Sequence, residues 1–335
     1  MPTTLLLIHG RSQASSAQIA ADPARLDGYI LAKKRSWLAG LARGLVLANC
    51  APVDEADVVF PFYGNEFRDR IAAFEAAGGR HPELELAEEP DPATQAVLAT
   101  KVDLLRDAAD QLGFDPQREI AYADPGLADK IGPADVELEK FGWGDALRVP
   151  VLRSALSFVA RKTGVASMVI EDFLTDVAYY LENTEMRDAV LDIVAAALSA
   201  KRPGGGPLVV VGHSLGTIVA YDALTRLAPS YDVRLFCTAG SPLGYPVVQK
   251  NLLTKVNGER PRVPGPVPAR ADGWVNAFDV NDIVALIHPI GPGFAMACPG
   301  QVRDERTFNG DQPHSISDYM ADPDIAGPIG RALAA

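Results

Sequence analysis

Cysteine is scarce in this chain: Cys50, Cys237 and Cys298 are the three among 335 residues, far apart and without a CxxC pair. A dispersed, odd set excludes a disulfide framework and a zinc knuckle, and fits small buried residues of a cytosolic protein. Long apolar runs are missing as well. The stretch Met1-Pro-Thr-Thr-Leu-Leu-Leu-Ile-His-Gly10 has four consecutive aliphatic residues and no basic flank. It is too short for a secretory signal, and no segment reaches the roughly 18 apolar residues of a membrane span. The sequence therefore predicts a cytoplasmic protein with no stable membrane insertion. Basic charge is also in deficit, with 31 Lys and Arg against 43 Asp and Glu, a net charge of −12 and a pI near 4.9. That balance argues against a nucleic-acid partner and disfavours anionic lipid surfaces. What remains is an ordinary globular composition, 48% hydrophobic and 22% charged, long enough for one large domain or two of typical size.

Short apolar runs bounded by turn residues cover Thr4 to Ile8, Asp57 to Phe62, Pro207 to Gly212, Val233 to Thr238, Trp274 to Phe278 and Gln301 to Phe308. Their length and weak alternation predict strands of a parallel sheet buried on both faces. Helical periodicity fills the intervals over Asp27 to Leu47, Glu185 to Ala200, Leu215 to Leu227 and Ser315 to Ala334. Alternating strands and helices predict an α/β fold, a mostly parallel sheet flanked by helices. The stretch from Gly64 to Gly206 is far too long for one crossover. It has helical patterns over Thr94 to Gln111, Asp145 to Arg161 and Gly164 to Leu181, separated by Pro and Gly clusters. We read it as a helical lid inserted before the strand that starts near Pro207, giving a core of residues 1–63 and 186–335 and a lid of 64–185. The apolar residues of the lid, Val149 to Leu152, Leu156 to Ala160 and Val165 to Phe173, suit either an acyl pocket or plain helix packing. Asn251 to Gly273, rich in Pro, Gly and Arg, reads as a surface excursion.

The strongest chemical signal is Gly212-His213-Ser214-Leu215-Gly216, placed between a strand and a helix. A GxSxG turn in that setting is a nucleophile elbow: the serine sits in a strained conformation, and the glycines let strand and helix approach closely. Ser214 is the candidate nucleophile. In this chain order the acid and the base follow the serine. The histidines after it are His288 and His314. His314 follows the last strand, where a loop can return its imidazole to the serine, whereas His288 sits close behind the candidate acids and reads as a packed residue. The acid is Asp282 or, as the alternative, Asp279, both just beyond the strand Trp274 to Phe278. Asp279 stands where it can cap the turn, and Asp282 lies deeper in the loop. An oxyanion hole is expected from the backbone N–H groups of Leu215 and Arg11, with His9 bracing the loop after the first strand.

In this order, His9-Gly10, Gly212 to Gly216, Asp279-Val-Asn-Asp282-Ile-Val and His314 resemble the α/β-hydrolase superfamily, in particular its lipase- and esterase-like serine hydrolases. The turn Thr238-Ala-Gly-Ser-Pro-Leu243 is similar to a turn of such lipases. The resemblance implies an α/β-hydrolase fold and Ser-His-Asp acyl transfer on carboxylic esters or thioesters through an acyl-enzyme, with a partly apolar small-molecule substrate and with no metal or organic cofactor. The same triad would serve an acyltransferase or a cyclase, and a non-catalytic binding member of the fold is a further alternative.

Overall fold

The computed structural model describes residues 2–11, 13–76, 91–116, 118–119, 145–227, 231–254, 273–296 and 299–335. In chain order its elements are β1 (Thr4–Ile8), α1 (Ala17–Ala20), α2 (Pro23–Leu47), β2 (Val58–Val59), α3 (Gly64–Phe74), α4 (Pro92–Gln111), α5 (Asp145–Thr163), α6 (Ser167–Glu182) and α7 (Thr184–Lys201). They continue with β3 (Gly206–His213), α8 (Gly216–Leu227), β4 (Tyr231–Ala239), α9 (Pro246–Thr254), β5 (Trp274–Phe278), α10 (Gly291–Phe294), β6 (Val302–Arg306), α11 (Ile316–Ala321) and α12 (Pro323–Ala334).

One six-stranded sheet runs in the order β2-β1-β3-β4-β5-β6, and every pairing is parallel. The chain steps outward from β1 to β2, then returns across β1 to β3 and proceeds the other way. The direction of winding therefore reverses between β1 and β3, and the crevice at the carboxyl ends of such a strand pair is where open α/β sheets bind ligands. Leu5, Leu7, Val209, Val211, Leu235 and Val275 are among the strand residues that form one core with Trp37, Leu41 and Leu45 of α2. Burying these strand side chains fully is worth roughly 1.5–3 kcal/mol each. Cys237 lies in that core, and desolvation pushes its thiol up to about 12, which leaves it an inert packing residue.

Helix α2 begins where Asp22 accepts from the N–H groups of Ala24 and Arg25, with Pro23 in the first turn. It lies close on α11 because Gly40 and Gly44 carry no side chain; a Cβ on either would sit 2.4 Å from the carbonyl oxygen of Ser317 or Met320. The pattern from Ser315 to Ala334 is two helices rather than the one expected. Asp322 accepts from the N–H of Asp324 and Pro323 opens the second helix, so capping and proline chemistry break a continuous periodicity. Pro328 inside α12 cannot bond the Asp324 carbonyl, which instead accepts from Arg303 at 3.2 Å.

The chain divides into two compact units, Met1–Ile71 with Thr184–Ala335, and Ala72–Asn183. The first boundary falls within α3 rather than at residue 64. The start of α3 is tied to the segment after β1: the Asn65 side chain accepts from the Ser15 N–H at 2.8 Å, Arg68 donates to the Ser15 carbonyl, and a Cβ on Gly64 would meet Ala14 and Gln13 backbone. The second unit is helical among its described residues. Leu104, Leu105, Leu152, Phe158, Phe173 and Leu174 are buried in it, and α4, α5 and α6 pack on one another. Among the described residues no helix is long and apolar enough to cross a membrane. Residues 251–254 of the expected surface excursion belong to α9, 255–272 lie outside the described residues, and so does Cys298.

Candidate active site

Strand β3 is flanked by β1 and β4 and delivers its last residues to the switch point. Ser214 follows with φ of +58°, one of two non-glycine residues with positive φ among the described residues. The other, Asn49, is a residue type that tolerates this region at a helix end. A serine held there costs on the order of 1–3 kcal/mol and persists because its surroundings force it. Two close approaches do so. A Cβ on Gly216 would lie 2.3 Å from the Ile8 carbonyl oxygen and 2.4 Å from that of His9, and one on Gly212 would lie 2.8 Å from the Gly216 carbonyl oxygen. The Ser214 N–H donates to the Ala239 carbonyl at 3.1 Å. Its carbonyl accepts from the Thr217 hydroxyl at 2.8 Å, and that hydroxyl is 2.8 Å from the Ser241 hydroxyl. Backbone and neighbours thus fix the serine from both sides. Its own Oγ is buried and has no hydrogen-bond partner among the described residues, an arrangement that costs stability.

The backbone at Gly10 lies against this serine: a Cβ there would be 2.5 Å from Ser214 Cβ and 3.0 Å from Oγ. His9 is fully buried, stacks on Tyr63 at 4.0 Å and has its pKa lowered to about 4 by desolvation. It is therefore neutral: Nδ1–H donates to the Gly10 carbonyl at 2.8 Å, and Nε2 accepts from the Tyr63 N–H at 3.3 Å. Holding the Gly10 carbonyl toward the ring turns the N–H across the same trans peptide, that of Arg11, the opposite way. His9 is a brace, as its sequence position suggested. Arg11 is half-buried, and Leu215 is buried immediately before α8, at the helix end whose first N–H groups have no intrahelical acceptor. Ser12 lies outside the described residues.

The loops after β5 and β6 bring Asp282 and His314 together. Asp282 Oδ2 accepts from His314 Nδ1 at 2.7 Å, with the carboxylate sealed from solvent and the imidazole 37% exposed. The second carboxylate oxygen accepts from the Val284 N–H at 2.9 Å. Asp279 does something else: it accepts from the Asn281 N–H at 2.8 Å and the Asn309 N–H at 2.7 Å, capping the β5 turn and tying it to the loop that carries His314. His288 stacks on Phe278 at 4.3 Å and its Nδ1 bonds the Ala285 carbonyl at 2.9 Å, so it stays with its own segment. Gly240, next to the acceptor of the Ser214 N–H, has φ of +56°, and a Cβ there would lie 2.7 Å from Asp282 Oδ2 and 3.0 Å from His314 Nδ1. The end of β4 is thus the shared floor of serine and imidazole.

Two participants were not singled out by sequence. His213, the residue before the serine, donates from Nε2 to the His314 carbonyl at 3.0 Å and lies ring to ring with it at 4.5 Å. Burial first, and the neighbouring His314 second, hold its pKa well below the ordinary value, so it is a neutral donor. Its place inside the elbow was the available signal. Tyr319 of α11 donates to Asp282 Oδ2 at 2.8 Å; nothing in the helical periodicity distinguishes it from a core aromatic. Among the described residues no group of three or more His, Cys, Asp or Glu gathers to hold a metal ion. Compared with known proteins, the chain matched no family model, no characterised protein and no solved structure.

Proposed function

We propose that the protein is a serine acyl hydrolase of the α/β-hydrolase type, cleaving carboxylic esters or thioesters of a partly apolar acyl group. The observation that carries the reading is the convergence on one floor of a serine at φ +58° and a histidine bonded at 2.7 Å to a buried carboxylate. With Nδ1–H committed to Asp282, the lone pair of His314 is on Nε2. That nitrogen takes the Ser214 hydroxyl proton as Oγ attacks the acyl carbon, and Asp282 stabilises the imidazolium that results. Negative charge developing on the carbonyl oxygen is received by the Leu215 and Arg11 N–H groups. His314 then protonates the leaving alcohol or thiol. Water, deprotonated by the same nitrogen, attacks the acyl-enzyme and returns Ser214 to its starting state. The hydrogen bond from Ser214 Oγ to His314 forms when substrate seats, as such contacts commonly tighten in the Michaelis complex.

Stopped-flow hydrolysis of p-nitrophenyl acetate and butyrate tests this. The wild-type chain should release nitrophenolate in turnover, with Ser214→Ala and His314→Ala each lowering kcat/KM by at least about 10³-fold. Equal rates in the wild type and both variants would refute it.

A further inference from the structure

We infer that Tyr319 is a positioning residue that sets how strongly His314 holds its proton, by sharing the carboxylate oxygen that His314 uses. The inference rests on reading Ser214, His314 and Asp282 as a triad. The direction of each hydrogen bond follows from donor bookkeeping. The Tyr319 hydroxyl accepts from the Asp279 N–H at 2.9 Å, so its single proton is left for Asp282 Oδ2 at 2.8 Å. The same oxygen takes His314 Nδ1 at 2.7 Å. One hydroxyl thereby links both aspartates of the β5 loop.

A donor to a carboxylate stabilises the anion and spreads its charge, which weakens the field that the carboxylate exerts on a neighbouring imidazolium. Tyr319 therefore moderates the field that Asp282 exerts on His314. Its location makes it dependable in that role, because it is fully buried and α11 is seated on the glycine face of α2. The titratable groups around the pair are few. Asp279 meets the same hydroxyl through its backbone, and His213 lies tilted against the His314 ring at 4.5 Å in neutral form. Asp318 of α11 pairs outward with Arg43 at 3.8 Å, and Asp304 is occupied by the Asn276 side chain and the Ile290 and Gly291 N–H groups.

The test is an NMR titration of the ¹⁵N-histidine-labelled full chain, with the His314 signal assigned by its loss in His314→Gln. In Tyr319→Phe the His314 midpoint should rise by roughly 0.5–1 pH unit, and 3-fluorotyrosine at position 319, a stronger donor of unchanged shape, should lower it. The acid limb of kcat/KM should move with each midpoint. Unchanged midpoints in folded variants would overturn the inference, including the case in which Tyr319→Phe merely lowers the thermal midpoint. If Tyr319→Phe does not fold, the fluorinated chain decides alone. An inactive wild type would defeat the hydrolase reading while leaving the titration to judge the Tyr319 coupling.

Discussion

The exits of β3 and β5 stand beside each other in function and are built by opposite means. At the β3 exit, geometry is imposed by steric exclusion: Gly212, Gly216 and Gly10 leave no room for side chains, and Ser214 is pressed into a left-handed backbone with its hydroxyl unpartnered. At the β5 exit, geometry is imposed by charge. Asp279 and Asp282 are both buried, each carboxylate accepts from loop backbone N–H, and one tyrosine hydroxyl accepts from the Asp279 backbone N–H while donating to the Asp282 carboxylate. The contrast suits the tasks assigned to them. A nucleophile gains from being aimed within reach of its base, while a partner for an imidazolium must be an anion held without loss of charge.

Substitutions should expose that difference. The largest effect is expected at Asp282. Asp282→Asn keeps the shape but leaves the wrong tautomer of His314, so kcat should fall by about 10⁴-fold with little change in the unfolding midpoint; steady-state kinetics beside a thermal melt would show it. Asp279→Asn, three residues away, should divide the other way. It keeps one acceptor oxygen but sets an NH₂ donor against one of the two loop N–H groups, and should cost roughly 1–3 kcal/mol of stability in urea unfolding, with kcat/KM lowered by no more than about tenfold. If the two variants behave alike, the separation of roles at the β5 exit is wrong. Gly240→Ala should follow, because a methyl group at φ +56° meets both Asp282 and His314. It should strain the backbone by about 1 kcal/mol and reduce kcat about 10²-fold by displacing the imidazole.

A further expected effect is a pH dependence of stability. His9 has a folded-state pKa of about 4, against about 6.5 in the unfolded chain, and His213 is shifted in the same direction. Between those values the unfolded state binds protons that the folded state refuses, so stability rises with pH through this window and is lost as pH falls from 6.5 toward 4. For His9 alone the change is on the order of 3 kcal/mol. Urea midpoints measured at pH 7 and pH 4.5 should differ accordingly, and His9→Gln should flatten the difference. A midpoint that does not move with pH would mean that His9 is not buried neutral.

Much of this was legible in the sequence because short apolar runs have few alternatives. All six strands lie within or overlap their predicted runs, though Asp57 to Phe62 yields only Val58–Val59 as strand. The chain leaves the sheet there so that Tyr63 can reach the ring and backbone of His9. The elbow carries its own signature, since its glycines answer a local steric demand. Chain order narrows the candidates and loop position favours Asp282 and His314, whereas the hydrogen bond that joins them depends on loop paths that no periodicity encodes. Tyr319 is hidden because an amphipathic stripe reports which face is buried and says nothing of which buried group carries a hydroxyl to a carboxylate; the break at Asp322 comes instead from an Asp-Pro cap inside a continuous periodicity. The start of α3 falls in the stretch that reads as insertion because the connection from Gly64 to Gly206 is too long for one crossover, whereas Asn65 and Arg68 bind it to the segment after β1.

The central claim is that Ser214 is a nucleophile activated by His314 and Asp282. Labelling the folded chain with a fluorophosphonate and mapping the adduct by peptide mass tests it most directly. The adduct should sit on Ser214 in the wild type, form far more slowly in His314→Ala, and be absent from Ser214→Ala. A folded wild-type chain that takes no label, or a Ser214→Ala chain that labels equally well, would contradict the account.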